Sequence, residues 1–187
     1  IYFAEAETYK QYPSDLQGEY QYLNRRSALK TLEILKQQGW NISENNISDG
    51  FKKVVTNTGL LGRWQVLQHK PKIICDTAHN EAGLRFVLRQ LEREHFENLH
   101  IVLGLVNDKA IGTILPLFPK TATYYYCKPN IERGMEAEIL KMETAAYGLN
   151  GAAFASVSEA FQAARQNTSI NDLIFVGGST FVVAEVV

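Results

Sequence analysis

No Gly-x-x-x-x-Gly-Lys-[Ser/Thr] phosphate loop occurs in the 187 residues. The lysine and hydroxyl that would cradle a nucleoside triphosphate in that way are therefore missing from this stretch. Cysteine is scarce. Cys75 and Cys127 stand far apart, no Cys-x-x-Cys pair occurs, and no Cys/His cluster has metal-ligand spacing. This excludes zinc-ribbon and dithiol redox chemistry and leaves two free thiols, as expected of a cytoplasmic protein, with Cys75 buried in an apolar run. There is no surplus of positive charge. The formal net charge is -1, which argues against a dedicated binder of nucleic acid or of a membrane surface but leaves room for a small anionic ligand. No run is long and apolar enough to span a bilayer, and no signal-peptide pattern is present. The first residue is Ile1, which reads as a cut inside a longer polypeptide with more chain upstream.

What is present is the mixture of a globular protein: 45% hydrophobic and 21% charged residues, long enough to bury a core without disulfides or metals. From about Leu61 the pattern alternates between strands and helices. Short apolar runs at Lys72–Cys75, His100–Leu103, Thr123–Tyr126 and Leu173–Val176 read as strands buried on both faces. Between them, helical spacing marks Glu81–Glu94, Ala110–Phe118, Met135–Tyr147 and Ser158–Gln166, the last capped by Ser156 or Ser158. This alternation predicts an α/β fold, a Rossmann-like and mostly parallel sheet with helices on both faces. The first part differs. Ile1–Thr8 reads as one strand, Tyr20–Gln38 as a long helix closed by Gly39, and Ser43–Val55 as a second helix with Ser43 as its cap. Thr56–Gly59 reads as a linker, so residues 1–58 are expected to be the tail of an upstream domain and residues 59–187 a domain of their own.

The stretch from Ile73 to Glu81 carries the most chemistry. A buried strand ends at Asp76, a short loop holds His79, and a helix starts near Asn80. In open α/β sheets ligands bind beyond the carboxyl ends of the strands, and the following helix start offers unpaired N–H donors to an anion. Locally the loop reads equally well as a turn capped by Asp76 and Asn80. Beside the expected boundary, Gly62 permits a sharp turn and Arg63 offers a planar fork suited to phosphate or carboxylate. Gly104–Lys109 ends another strand, where Asp108 and Lys109 serve either a ligand or a surface ion pair. Gly177-Gly178-Ser179-Thr180 closes the last strand as an anion nest or a tight turn. His69, His95 and His100 read as surface or structural, Tyr124–Tyr126 as strand packing, and Met135 and Met142 as core.

Together these segments resemble the folylpolyglutamate/dihydrofolate synthases of the Mur ligase superfamily. Gly18–Asn24 is similar to the family's Gly-x-x-Gln-x-x-Asn, Gly62-Arg63 to its Pro-Gly-Arg hinge, and Asp76–Asn80 to its Asp-Gly-Ala-His-Asn loop. Asp108-Lys109, Pro129–Arg133 and Gly178-Ser179 fall where the family has Asp-Lys-Asp, Pro-x-x-x-Arg and Gly-Ser, so that six motifs stand in register. The resemblance implies a Mur ligase C-terminal domain preceded by the helical tail of the central ATPase domain. It implies an ATP-dependent ligase that joins L-glutamate to a folate or dihydropteroate carboxylate through an acyl phosphate. ATP and Mg2+ would be bound mainly by the upstream ATPase domain. Asn24 would meet adenine, Arg63 and Asp76 the nucleotide, and His79 the incoming glutamate with help from Ser179, with no metal ligand among these residues. The implied enzyme is a cytoplasmic monomer without nucleic-acid or membrane partners. Two other readings stand beside it: a Mur-type ligase of cell-wall precursors, against which the Asp76–His79 loop speaks, and a non-catalytic α/β module that binds an anion. Leu61, Thr77, Ala110 and Gly134 depart from the family's Pro, Gly, Asp and Ala, and Ala110 weakens any role for Asp108 and Lys109. Without a phosphate loop, the purified 187-residue chain is expected to fold and yet release no phosphate from ATP. Hydrolysis that disappears in Arg63→Ala would contradict this.

Overall fold

In a computed structural model, which describes residues 12–107 and 111–187, the chain divides into two compact units, Ile1–Leu61 and Gly62–Val187. The expected strand at Ile1–Thr8 and the Asp108-Lys109-Ala110 turn lie outside the described residues.

The described part of the first unit is helical: α1 (Gln21–Gln37), α2 (Glu44–Lys52) and α3 (Val54–Thr58). Gly39 leaves α1 with φ 93°, a conformation that costs glycine little. Ser43 and Asn46 form a reciprocal capping box at the start of α2. The expected linker is a correction, because helix continues through Thr58 and stops at Gly59, φ 66°. Distant Asp15 stabilises that last helix by accepting from the N–H groups of Val54 and Val55, at 3.2 and 3.0 Å. Ile47 is the one buried apolar residue among the described residues of this unit, while Ile34 and Trp40 are exposed.

The second unit is a sheet domain. Its strands are β1 (Gln65–His69), β2 (Lys72–Cys75), β3 (Leu99–Leu103), β4 (Thr123–Cys127), β5 (Gly151–Phe154) and β6 (Leu173–Gly177). They pair in the order β1-β2-β6-β3-β4-β5, all parallel except β1, which runs antiparallel to β2. The helices are α4 (Glu81–Leu91), α5 (Ile111–Ile114), α6 (Ala137–Ala145), α7 (Val157–Gln166) and α8 (Thr180–Ala184). Successive strand residues point to opposite faces. Ile73, Cys75, Val102, Tyr125, Cys127, Ile174 and Val176 pack with Val157, Ala160 and Ala164 of α7 and Val182 and Val183 of α8. Their neighbours Ile74, Ile101, Leu103, Tyr124, Tyr126 and Phe175 are fully buried on the other face, where α6 covers β4 and β5. Burial pushes both thiols up to about 12, so Cys75 and Cys127 are inert packing groups.

Two strands were not expected from sequence, β1 and β5, both edges of the sheet. Pro116 lacks an N–H, so the helix predicted to run to Phe118 changes after Ile114 into a single 3-10 turn, Leu115–Leu117. Met142 is exposed on α6 rather than in the core, whereas Met135 is buried.

At the end of the sheet opposite the loops discussed below, His100 is buried. Its Nδ1 lies 3.0 Å from Tyr125 Oη and its Nε2 3.6 Å from Asp172 Oδ2. Burial raises the Asp172 carboxyl, but bonds from the Ser169 N–H, the Asn98 side chain and the Asn98 N–H outweigh it and hold the group below the usual carboxylate range. A carboxyl with a depressed folded pKa stabilises above its unfolded value and loses that contribution as pH falls through the folded one. Asp172→Asn is therefore expected to cost about 1–3 kcal/mol at neutral pH. The gap to the unsubstituted chain should close in acid, as followed by denaturant unfolding across pH.

Candidate active site at the carboxyl edge of the sheet

Because β1 is antiparallel to β2, the residues leading into β1 lie at the carboxyl end of β2. The ladder pairs Gln65 with Cys75, so Trp64 and Arg63 come next opposite Asp76 and Thr77. The turn that delivers them is unusual. Gly62 has φ 71° and Trp64 has φ 49°, a left-handed conformation that a bulky residue avoids. A Cβ on Gly62 would come within 2.8 Å of both Thr77 Cγ2 and Val183 Cγ1, so the position has room for glycine alone.

Asp76 fastens this turn. Its Oδ2 accepts from the Trp64 N–H and its Oδ1 from the Ala78 N–H, each at 2.7 Å, and the residue is 1% exposed. Its own N–H donates to the Val176 carbonyl at 3.1 Å and so ties the loop to β6. The carboxylate faces the loop backbone in this conformation. Thr77 supplies three further links. Its N–H donates to the Gly62 carbonyl at 2.9 Å, its Oγ1 accepts from Arg63 Nη1 at 2.7 Å, and its carbonyl lies 3.0 Å from His79 Nδ1. Of the five donors of the Arg63 guanidinium, one is committed to this hydroxyl. The imidazole of His79 is exposed, and when Nδ1 carries the proton toward the Thr77 carbonyl, Nε2 is left as an acceptor. Asn80 caps α4 by accepting from the Gly83 N–H at 2.8 Å.

The structure thus joins Arg63, Asp76 and His79 in one loop system. Ser179 lies at the same edge, after the neighbouring strand β6. It is buried, and its Oγ accepts from the Phe181 N–H at 3.3 Å as the cap of α8. Gly178 turns the chain there with φ 90°, and an added Cβ would fall 2.6 Å from Leu103 Cδ1. Asn24 belongs to the first unit, where it is exposed and its amide donates to Gln21 at 2.8 Å. Thr77 carries no local signal in the sequence, because its bond to Arg63 depends on the antiparallel pairing of β1 with β2. Farther along the same edge, after β4, a cleft of about 480 Å³ opens between the Pro129–Glu132 turn and Ser156. A second, of about 460 Å³, is bordered by Arg133, whose guanidinium lies 5.3 Å from the Phe181 ring centre.

Chemically, the Arg63 fork and the start of α4 suit an oxyanion. A divalent metal is different: among the described residues no group of three or more His, Cys, Asp or Glu side chains could hold one. Residues 62–180 match the family described as Mur ligase, glutamate ligase domain. The chain belongs to this family. Among curated relatives it is 31% identical to a probable bifunctional folylpolyglutamate synthase/dihydropteroate synthase of Haloferax volcanii, over 91% of this chain and 20% of that protein. It is 30% identical to the dihydrofolate synthase/folylpolyglutamate synthase of Escherichia coli, over 86% of this chain and 36% of that protein. Among solved structures, E. coli FolC in complex with DHPP and ADP superposes with a TM-score of 0.70 at 29% identity, over 86% of this chain and 37% of that one. The chain thus spans between a fifth and about two fifths of the length of these relatives.

If Asp76 anchors the loop as described, Asp76→Asn must turn an amide NH2 toward one of two backbone N–H donors. It is expected to destabilise the sheet domain by about 1–3 kcal/mol in denaturant unfolding, with no ligand present.

Proposed function

We propose that these residues are the carboxyl-terminal part of an ATP-dependent ligase that forms an amide between L-glutamate and a pteroate or folate carboxylate. The observation that carries the reading is the loop system at the end of β2, where the Arg63 fork bonds the Thr77 hydroxyl and the exposed His79 imidazole bonds the Thr77 carbonyl. The family membership and the folate-ligase relatives support it. In the first half-reaction the carboxylate attacks the terminal phosphorus of ATP, giving an acyl phosphate and ADP. In the second the glutamate amine attacks the acyl carbon, phosphate departs, and the amine loses a proton.

Within this reading Arg63 meets phosphate oxygens and offsets the negative charge that builds up in both steps. Its fork geometry suits that task better than a point charge. Asp76 serves the nucleotide side by fixing the turn that carries Arg63. His79 binds the incoming glutamate, its Nε2 accepting from the ammonium group when Nδ1 carries the proton, with help from Ser179. Asn24 meets adenine. Residues 1–58 belong to the tail of the ATP-binding domain, in keeping with the small amount of apolar surface that the described part of the first unit buries. Mg2+ would be held mainly by that ATP-binding domain together with the phosphates of ATP. The enzyme acts as a cytoplasmic monomer. Its two unpaired, buried thiols suit a reducing compartment, and no helix among the described residues is long and apolar enough to cross a membrane.

Phosphate release by the full-length polypeptide with ATP, Mg2+ and L-glutamate tests the reading against three acceptors: dihydropteroate, a reduced folate and a muramyl precursor. Turnover with a pteridine, with products checked by mass, is the expected result. His79→Ala should raise the apparent KM for glutamate by about an order of magnitude, the scale of one lost hydrogen bond to a charged group. Turnover with the muramyl precursor alone would move the substrate class, and no turnover with any acceptor would favour a binding module.

A further inference from the structure

We infer that Thr77 is a positioning residue for Arg63, acting through its hydroxyl, and that this role is separable from its packing and from the placement of His79. The inference rests on the proposed phosphate-binding role of Arg63.

Three observations carry it. First, Thr77 lies opposite Arg63 two residues beyond the last β1–β2 pair, Gln65 with Cys75, and the two side chains meet there, with Oγ1 2.7 Å from Nη1. Secondly, Thr77 is 6% exposed and its backbone is held on both sides, by Asp76 and by its own bond to Gly62. A β-branched side chain on a fixed backbone has a stiff χ1. The hydroxyl is therefore a rigid acceptor at a set point, and the long arginine that donates to it loses its rotamer freedom before a ligand arrives. Binding then costs less ordering, and the guanidinium is already oriented. Thirdly, the two branches of the side chain do different things. The methyl Cγ2 occupies the space beside Gly62, while the hydroxyl holds Arg63. His79 is held by the Thr77 carbonyl, which side-chain replacement leaves in place. A glycine at this position would keep the carbonyl bond to His79 and lose the bond to Arg63.

This separation defines the test, made in the full-length polypeptide with ATP, Mg2+, glutamate and its pteridine acceptor. Thr77→Val keeps the branched shape and removes the acceptor, Thr77→Ser keeps the acceptor and removes the methyl, and Thr77→Ala is a second variant without a hydroxyl should valine misfold. Thermal melting accompanies each. Thr77→Val and Thr77→Ala are expected to lower kcat/KM for ATP on the order of ten-fold or more, the scale of a hydrogen bond to a charged group. Thr77→Ser should stay within about three-fold of the unsubstituted enzyme, and the apparent KM for glutamate should be unchanged in all three. In an Arg63→Ala background Thr77→Val should have no further effect, because the partner through which it acts is gone. Equal losses for serine and valine, a parallel rise in the glutamate KM, or an undiminished valine effect without Arg63 would overturn the inference. Full activity of Thr77→Val beside a crippled Arg63→Ala would overturn it while leaving the role of Arg63 intact. Full activity of Arg63→Ala would instead remove the phosphate-binding assignment itself, and this inference with it.

Discussion

Trp64 holds a left-handed backbone at φ 49° and is kept there by the buried carboxylate of Asp76. A bulky residue in that conformation costs on the order of 1–3 kcal/mol and persists only where its surroundings over-determine it. Here they do. The Trp64 N–H donates to Asp76 Oδ2 at 2.7 Å, and the residue is 3% exposed. The same carboxylate receives the Ala78 N–H from the other side of the loop. One side chain therefore fixes the backbone both before β1 and after β2. Arg63 sits between two left-handed residues, Gly62 and Trp64, so the direction in which it leaves the backbone follows from this pair of bonds.

That local arrangement works only because of the topology around it. Five of the six strands in the described sheet are parallel and send their carboxyl ends to one edge, where loops and helix starts collect. A sixth parallel strand would have begun at the opposite edge. By running antiparallel to β2, the first strand begins at the edge where the others finish, and the arginine preceding it arrives opposite Thr77. The central strand β6 supports the same point from the other side. The Val176 carbonyl takes the Asp76 N–H, and Gly177 and Gly178 let β6 pass close to β2 and β3 before the chain turns into Ser179.

How much of this the sequence reveals depends on where a residue draws its stability. The strands β2, β3, β4 and β6 are buried on both faces, so their apolar runs announce them, and the caps Ser43, Asn80 and Ser156 mark helix starts by chemistry that is local to each. The edge strands are different. Gln65–His69 alternates weakly, and Gly151–Phe154 is Gly-Ala-Ala-Phe, whose glycine is needed because a Cβ would lie 2.1 Å from the Tyr124 carbonyl oxygen. Both are strands because a neighbour offers its backbone, which no single-segment pattern records. The site divides in the same way. Arg63, Asp76 and His79 stand out as residue types at strand ends. The contribution of Thr77 exists only across the β1–β2 pair, and the Asp172 group beside His100 only across strands far apart in sequence.

A buried carboxylate within an anion-binding loop looks self-defeating, since its charge would repel the ligand. The geometry resolves this. Each Asp76 oxygen accepts from an N–H group of the loop, so the carboxyl is turned toward the backbone it shapes, while the positive fork of Arg63 is half-buried at the same turn, bound on one donor by a neutral hydroxyl. Had Arg63 instead formed an ion pair with Asp76, its charge would have been cancelled and its fork occupied. Using the carboxylate to shape the backbone and a neutral hydroxyl to aim the guanidinium leaves the cation with its charge unspent. An acidic residue at position 77 would pair with Arg63 and cancel the charge that the threonine hydroxyl leaves intact.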